Sequence, residues 1–224
     1  MKAQITIPDN INEISLGQYQ KFLSVADGLE GEFLNQRTVE IFCQVPFTNV
    51  LVMKRQDVKD VAEHITALIG GKAEFIHRFN IKTQEFGFMP DMEAMTSGEF
   101  ADLTAYIGKE DNLHKAMAVM FRPIVNTYKD KYEISEYNGS KEFGDLMKFM
   151  PLGVALGAVV FFYNLTSDLL NATQHSILAE VVREITAEQH SSVRNGDSTK
   201  TSTHSLKEIL DDLMKLQPSV YTNV

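Results

Sequence analysis

The sequence predicts a mainly α-helical protein, a helical bundle around one central apolar helix at about residues 150–170, with one small β-hairpin at about residues 73–89. Three observations lead to this fold class. Helix caps followed by apolar residues at helical spacing recur along the chain. Alternation of the kind expected for strands is confined to residues 73–89. One segment, residues 150–170, is apolar on every side, as expected for a helix inside the core.

Three helices are predicted in the first part of the chain. Ser15 and Gln18 have capping-box spacing, in which two backbone N–H groups at the helix start are satisfied reciprocally. Apolar residues at helical spacing continue over residues 32–44, and Pro46 ends this second helix because proline cannot continue it. Asp57 is the predicted cap of the third helix. Together these helices would form a small helical layer.

The predicted hairpin follows at residues 73–89, where aromatic residues alternate with polar ones on both sides of residues 82–84. It is the only strand pair that the sequence predicts. Pro90 ends it, and Thr96 with Glu99 forms a second capping box that opens another helix.

Two more helices are predicted before the central one. Asp111 would cap a helix that continues to Phe121 and is terminated by Pro123. Ser140 would open another helix that ends at about Phe149.

The central helix is predicted to be a core helix rather than a membrane span. Residues 149–167 carry no charge, but the continuous apolar run covers only residues 152–163, which is shorter than a bilayer requires. Gly153 and Gly157 would leave room for neighbouring backbones in close helix contacts.

The predicted domain organisation has three parts. Residues 1–189 form a single helical domain with the hairpin as an insertion, and residues 190–204, rich in hydroxyl side chains, form a flexible linker. Residues 205–217 form an amphipathic C-terminal helix. Its apolar stripe is the predicted partner-binding site, with the residues Leu206, Ile209, Leu210, Leu213, Met214 and Leu216. Two interpretations stay open, because the stripe could latch onto its own domain or dock into a partner's groove.

Composition and motifs argue against several functions. The formal charge of −9 disfavours nucleic-acid binding, which needs clustered Lys and Arg. Cys43 is the single cysteine, so an internal disulfide and a cysteine-based zinc site are excluded. The six histidines are not at metal-ligand spacing, and no phosphate-binding loop or nucleophile motif occurs. We therefore predict no enzyme activity, no catalytic residues, no metal and no cofactor. The first residues contain no apolar leader, which favours the cytoplasm and no membrane association.

Five segments of the chain carry a resemblance. Residues 8–22, 86–108, 114–124, 132–139 and 150–165 resemble segments of small proteins encoded among the virion and assembly genes of tailed bacteriophages. The resemblance implies a morphogenesis role, as a tail-assembly chaperone or a head-tail associated protein. Its partners would be other phage proteins, and its location would be the host cytoplasm or the virion. Self-association into a homo-oligomer stays open, and the resemblance transfers no catalytic residue.

Two alternatives belong to other functional classes. The first is a helical enzyme or ligand-binding protein, with a pocket beside the Gly153 and Gly157 face and with Arg122, Tyr128 or Tyr163 as polar contacts. The second is a phage-encoded inhibitor of a host protein. Neighbouring portal, tail-tube or tape-measure genes would favour assembly, whereas neighbouring nucleotide-metabolism genes would favour an enzyme.

Overall fold

The computed structural model describes residues 5–129 and 131–167. By its internal contacts the chain divides into two units, Met1–Leu165 and Thr166–Val224. The predicted linker at 190–204, the predicted helix at 205–217 and the predicted domain end at residue 189 lie outside the described residues. They stay predictions.

The described residues contain both helices and strands. The helices are α1 (Leu16–Ala26), α2 (Gly31–Phe42), α3 (Phe47–Val50), α4 (Arg55–Ile69), α5 (Ser97–Ile107), α6 (Leu113–Met120), α7 (Gly144–Met147) and α8, which is helical from residue 152 to residue 167. The strands are β1 (Arg78–Ile81), β2 (Gln84–Phe88), β3 (Phe121–Tyr128) and β4 (Lys131–Ile134). Two short 3-10 turns, Ile11–Glu13 and Glu110–Asn112, precede α1 and α6.

The predicted helical bundle with one small hairpin is wrong. The four strands form an antiparallel sheet in the order β1-β2-β3-β4, so the described part of the chain combines helices with a sheet. The predicted hairpin is present as β1 and β2, with Arg78 opposite Gly87 and Ile81 opposite Gln84. A second hairpin, β3 and β4, extends the sheet from it.

The second hairpin was not predicted, because its first strand continues directly from a helix. α6 ends at Met120 and β3 begins at Phe121, without a loop between them. Pro123 does not terminate the helix but lies within β3, opposite Phe86. Buried and exposed residues do not alternate along β3. Phe121 and Arg122 are both buried, whereas the last four residues of the strand are all exposed. β-branched and aromatic residues still favour a strand in this stretch.

The predicted helix caps are confirmed at two helices and wrong at a third. Both capping boxes, Ser15 with Gln18 and Thr96 with Glu99, are present. Asp57 is not the cap of α4, since the helix begins two residues earlier and Asp57 lies in its first turn. There a carboxylate still favours the helix through the macrodipole.

Two further helix starts differ from their predictions. Asn112, not Asp111, occupies the N-cap position of α6. The helix predicted from Ser140 is reduced to the four residues of α7. In both cases the chain enters the helix through a preceding turn, so the N-cap lies further along the chain than predicted. At α6 the change is small, because Asn and Asp have similar capping preferences.

Within the described residues, the predicted central helix is buried over only part of its length, and its predicted end at about residue 170 lies outside them. Its first turns, including Leu152, Ala155 and Ala158, are fully buried, whereas Val160 and Tyr163 are half exposed. Leu152 N–H donates to the Ile14 carbonyl (2.8 Å), and Leu16 N–H donates to the Met150 carbonyl (2.9 Å). These bonds tie the starts of α1 and α8 together, so the buried half of α8 is also the anchored half.

The two glycines of α8 do lie at close contacts. A Cβ atom on Gly157 would overlap the backbone carbonyl of Glu74, and one on Gly153 would overlap the side chains of Ile11 and Asn12. The neighbours are an irregular segment before β1 and a 3-10 turn rather than the helices that were predicted. The prediction of close backbone approach is thus confirmed at Gly157, whereas Gly153 meets side chains.

Tyr132 of β4 lies across the sheet and holds the two hairpins together. A Cβ atom on Gly87 of β2 would overlap the Tyr132 ring, and the Tyr132 hydroxyl donates to the Phe88 carbonyl (2.7 Å). The guanidinium of Arg78 in β1 lies 4.4 Å from the centre of that ring. The Tyr132 side chain of β4 therefore contacts both strands of the first hairpin.

Candidate functional site

A groove between α2 and the start of α4 is the candidate functional site, and we call it the α2–α4 groove. It encloses about 440 Å³. Its lining residues are Glu32, Gln36, Val50, Leu51, Met53, Arg55 and Val58. Four of these residues are apolar, and the three polar ones come from the two flanking helices.

Local sequence signals place these residues. Pro46 ends the preceding segment, and α3 occupies a single turn before Met53 and Lys54 lead into α4. Arg55, the first residue of α4, forms an ion pair with Glu32 of α2 at 2.7 Å between Arg55 Nε and a Glu32 carboxylate oxygen. This pair connects the two walls of the groove, although an ion pair so exposed contributes little stability.

Three large apolar side chains, at a lining residue of the groove or next to one in the chain, are exposed to solvent. Leu51, which lines it, is 55% exposed. Phe33 and Val52, which are chain neighbours of the lining residues Glu32 and Leu51, are 67% and 84% exposed. A grouped set of exposed apolar side chains is typical of a protein-binding surface, whereas isolated ones are ordinary.

Gln36 adds a polar feature to the apolar groove. Its side-chain oxygen Oε1 is buried and has no hydrogen-bond partner within the described residues. A buried acceptor without a partner costs free energy, but this oxygen is closed to solvent and is therefore out of reach of a group bound in the groove. The polar groups that the groove offers to a partner are the solvent-accessible side chains of Glu32 and Arg55.

No sequence motif marks Phe33, Leu51 or Val52 as part of a site. Two signals could have found them. Phe33 lies off the buried face of α2, which is formed by Thr38, Val39, Ile41 and Phe42. The apolar run at residues 50–53 follows a single helical turn, which is too short to bury all of its members.

A buried charged cluster lies elsewhere, between α5 and β3. Arg122 donates to Glu99 at 2.9 Å, and both residues are more than nine-tenths buried. The other oxygen of the Glu99 carboxylate accepts from the Thr96 backbone N–H and hydroxyl, both at 2.7 Å. Glu99 therefore takes part in the cap of α5 and also forms the ion pair with Arg122. The Nε atom of Arg122 is buried and has no hydrogen-bond partner among the described residues.

Tyr137 extends this cluster. Its hydroxyl donates to the Asp102 carboxylate at 2.5 Å, and its ring lies under the Arg122 guanidinium, 5.8 Å from the ring centre. Burial raises the pKa of Tyr137 well above its usual value, and the hydrogen bond to Asp102 raises that pKa further. A tyrosine in this state is a poor proton donor or nucleophile at neutral pH, so the arrangement suits structural support better than catalysis.

The three residues of the predicted ligand pocket do not come together. Arg122 is engaged by Glu99 and Tyr137. Tyr128 is exposed at the end of β3, with the Lys129 ammonium 5.5 Å from its ring centre. Tyr163 lies on α8 next to Phe162. Since Arg122 is buried in an internal ion pair, it is not positioned to meet a ligand beside α8.

The remaining site predictions concern metals and the C-terminal stripe. Within residues 5–129 and 131–167, no group of three His, Cys, Asp or Glu side chains is arranged to hold a metal ion. The six apolar residues of the stripe, from Leu206 to Leu216, lie outside the described part of the chain. Their partner-binding role stays a prediction.

Among the described residues, no helix combines the length and the apolar character needed to cross a membrane. No protein-family model matches the chain, and no curated protein or solved structure matches it either.

Proposed function

We propose that this chain is a non-enzymatic bacteriophage morphogenesis protein that binds a virion component during assembly. The partner in this proposal is a tail or head-tail protein. The observation that carries the binding role is the α2–α4 groove, whose lining residue Leu51 and whose neighbours in the chain, Phe33 and Val52, are exposed. The assignment to phage assembly is supported by the resemblance of the five sequence segments.

The groove favours a partner of defined chemistry. Its apolar lining residues fit an aliphatic or aromatic side chain, because burying such a group contributes about 1.5–3 kcal/mol. The solvent-accessible Glu32 and Arg55 side chains at its walls fit a polar group beside that side chain. The partner segment would therefore present one large apolar residue with a polar group next to it.

The groove is tested by replacing Phe33 and Val52 together with serine. Loss of two apolar contacts should weaken binding by at least about tenfold. The control is the double variant Phe149→Ser with Val125→Ser, since these residues are 68% and 64% exposed but, unlike Phe33 and Val52, are not chain neighbours of any residue that lines the groove.

Binding should be measured by titration calorimetry against each tail and head-tail protein encoded by neighbouring genes, purified separately. We expect one of them to bind the wild-type chain and the control, and to bind the groove variant weakly. Equal losses in both double variants would contradict the groove as the interface. Absence of binding to every candidate would contradict the proposed function.

The C-terminal stripe is a second helical surface in the proposal. The double variant Leu210→Asp with Leu213→Asp should release the predicted helix, because unpaired charges are not buried without a large cost. If the helix packs against its own domain, the double variant should have a lower thermal midpoint and should still bind the partner. A docking element would lose the partner with little change in midpoint, and a variant that keeps both would contradict the prediction.

A further inference from the structure

His114 at the start of α6 makes a buried contact with α1. The residue is only 7% exposed. Gln20 of α1 donates its side-chain amide Nε2 to the Glu110 carbonyl at 2.6 Å. The same nitrogen lies 3.1 Å from His114 Nδ1. One amide group thus joins α1 to the turn before α6 and to α6 itself.

This geometry determines where the imidazole proton lies. The Gln20 amide nitrogen carries two protons, and the short bond to the Glu110 carbonyl uses one of them. The other is available to His114 Nδ1, which accepts it only when that ring nitrogen is unprotonated. The contact therefore requires a neutral imidazole with its proton on Nε2.

Rotation of the amide group would not rescue a protonated ring. Turning the Gln20 amide by half a revolution would present its oxygen to His114 Nδ1, but the same oxygen would then face the Glu110 carbonyl. Two acceptors at 2.6 Å repel each other. In the observed orientation Gln20 Oε1 is buried and has no partner within the described residues. This orientation therefore leaves the amide oxygen unpaired, while the amide nitrogen keeps its contacts with the Glu110 carbonyl and His114 Nδ1.

We propose that His114 and Gln20 form a pH-sensitive contact that holds α1 against α6 while the imidazole is neutral and weakens when Nδ1 takes up a proton. None of these residues lines the α2–α4 groove, so the inference is independent of the proposed function.

The largest influences on the pKa of His114 also favour the neutral imidazole. Burial lowers its pKa below the usual 6.5, and the charges of Lys148 and Lys115 lower the pKa further. The Asp145 carboxylate and the backbone of Asp111 oppose this shift. α1 contributes the uncharged Gln20 amide, and the turn before α6 contributes the Glu110 carbonyl.

The sign of the pH effect follows from this lowered pKa. The unfolded chain binds the proton at the usual pKa of about 6.5, before the folded chain does. The stabilising contribution is therefore fully present above pH 6.5, and it is lost as pH falls from 6.5 to the folded-state pKa. Within that window the unfolding equilibrium constant should rise by up to about tenfold per pH unit.

The test compares wild-type protein with His114→Asn by chemical denaturation between pH 7.5 and pH 5. Asparagine keeps an acceptor near the position of Nδ1 but does not titrate. We expect the unfolding constant of the wild type to rise more steeply on acidification than that of the variant. His64→Asn is the matched control, since His64 contacts the Pro8 carbonyl, away from Gln20, and this variant should keep the steep dependence.

A second measurement guards against a variant that folds poorly. Nitrogen-15 chemical shifts of the imidazole should report an Nε2–H tautomer for His114 that titrates below pH 6.5. An Nδ1–H tautomer, a pKa at or above 6.5, or parallel denaturation profiles for wild type and His114→Asn would each overturn the proposal.

Discussion

The α2–α4 groove and the Glu99–Arg122 cluster use apolar and charged groups in opposite ways. The groove leaves Phe33, Leu51 and Val52 in solvent, although burial would stabilise them. The cluster takes a full ion pair out of solvent, although charges prefer water, and surrounds it with hydrogen bonds from Thr96. The difference indicates that the cluster maintains the fold, whereas the groove is available to a partner.

The free-energy consequences differ as well. Breaking a buried ion pair strands one charge in a low-dielectric interior, which is costly. Changing an exposed apolar side chain alters little in the isolated protein. Substitutions in the two regions should therefore separate stability from binding.

The largest effect is expected for Glu99→Ala. This variant leaves the buried Arg122 guanidinium without its partner and removes both bonds to Thr96. We expect the free energy of unfolding to fall by about 3–5 kcal/mol, measured by urea denaturation. The matched control is Glu63→Ala, whose ion pair with Lys59 is exposed and should contribute little. Similar losses in the two variants would mean that the cluster is not a special stabilising unit.

A smaller effect is expected for Gly157→Leu, which tests whether the buried half of α8 is as closely packed as the cluster region. The new side chain would collide with the Glu74 carbonyl, and overpacking should cost about 1–3 kcal/mol. Gly98→Ala is the control, because no atom lies within 4 Å of a Cβ placed there. An unchanged denaturation midpoint for Gly157→Leu would indicate that this face of α8 is free.

The smallest effect on stability is expected for the groove variant Phe33→Ser with Val52→Ser. Both side chains are largely exposed, so the free energy of unfolding should change by less than about 0.5 kcal/mol for each substitution. This near-neutral result, together with loss of partner binding, would complete the contrast with Glu99→Ala. A large loss of stability would instead assign Phe33 and Val52 to the folded core.

Features that depend on neighbouring residues in the chain could be predicted from the sequence. The capping boxes at Ser15 and Thr96 involve residues three positions apart, and the first hairpin is closed by a short turn in which Lys82 has a positive φ of 55°. The need for small residues at Gly153 and Gly157 was also evident, because a glycine pair within an apolar helix indicates close packing.

Features that join distant segments were decided only by the tertiary structure. Pro123 has the local character of a helix terminator, but its pairing with Phe86 makes it part of a strand that follows α6 directly. The ion pair of Glu99 with Arg122 and the contact of Gln20 with His114 join residues with no shared motif. The exposure of residues 51 and 52, which follow the single turn of α3, likewise depends on which surfaces pack nearby. Local sequence determines caps and tight turns, since their hydrogen bonds close within a few residues, whereas strand pairing and burial depend on which distant surfaces meet.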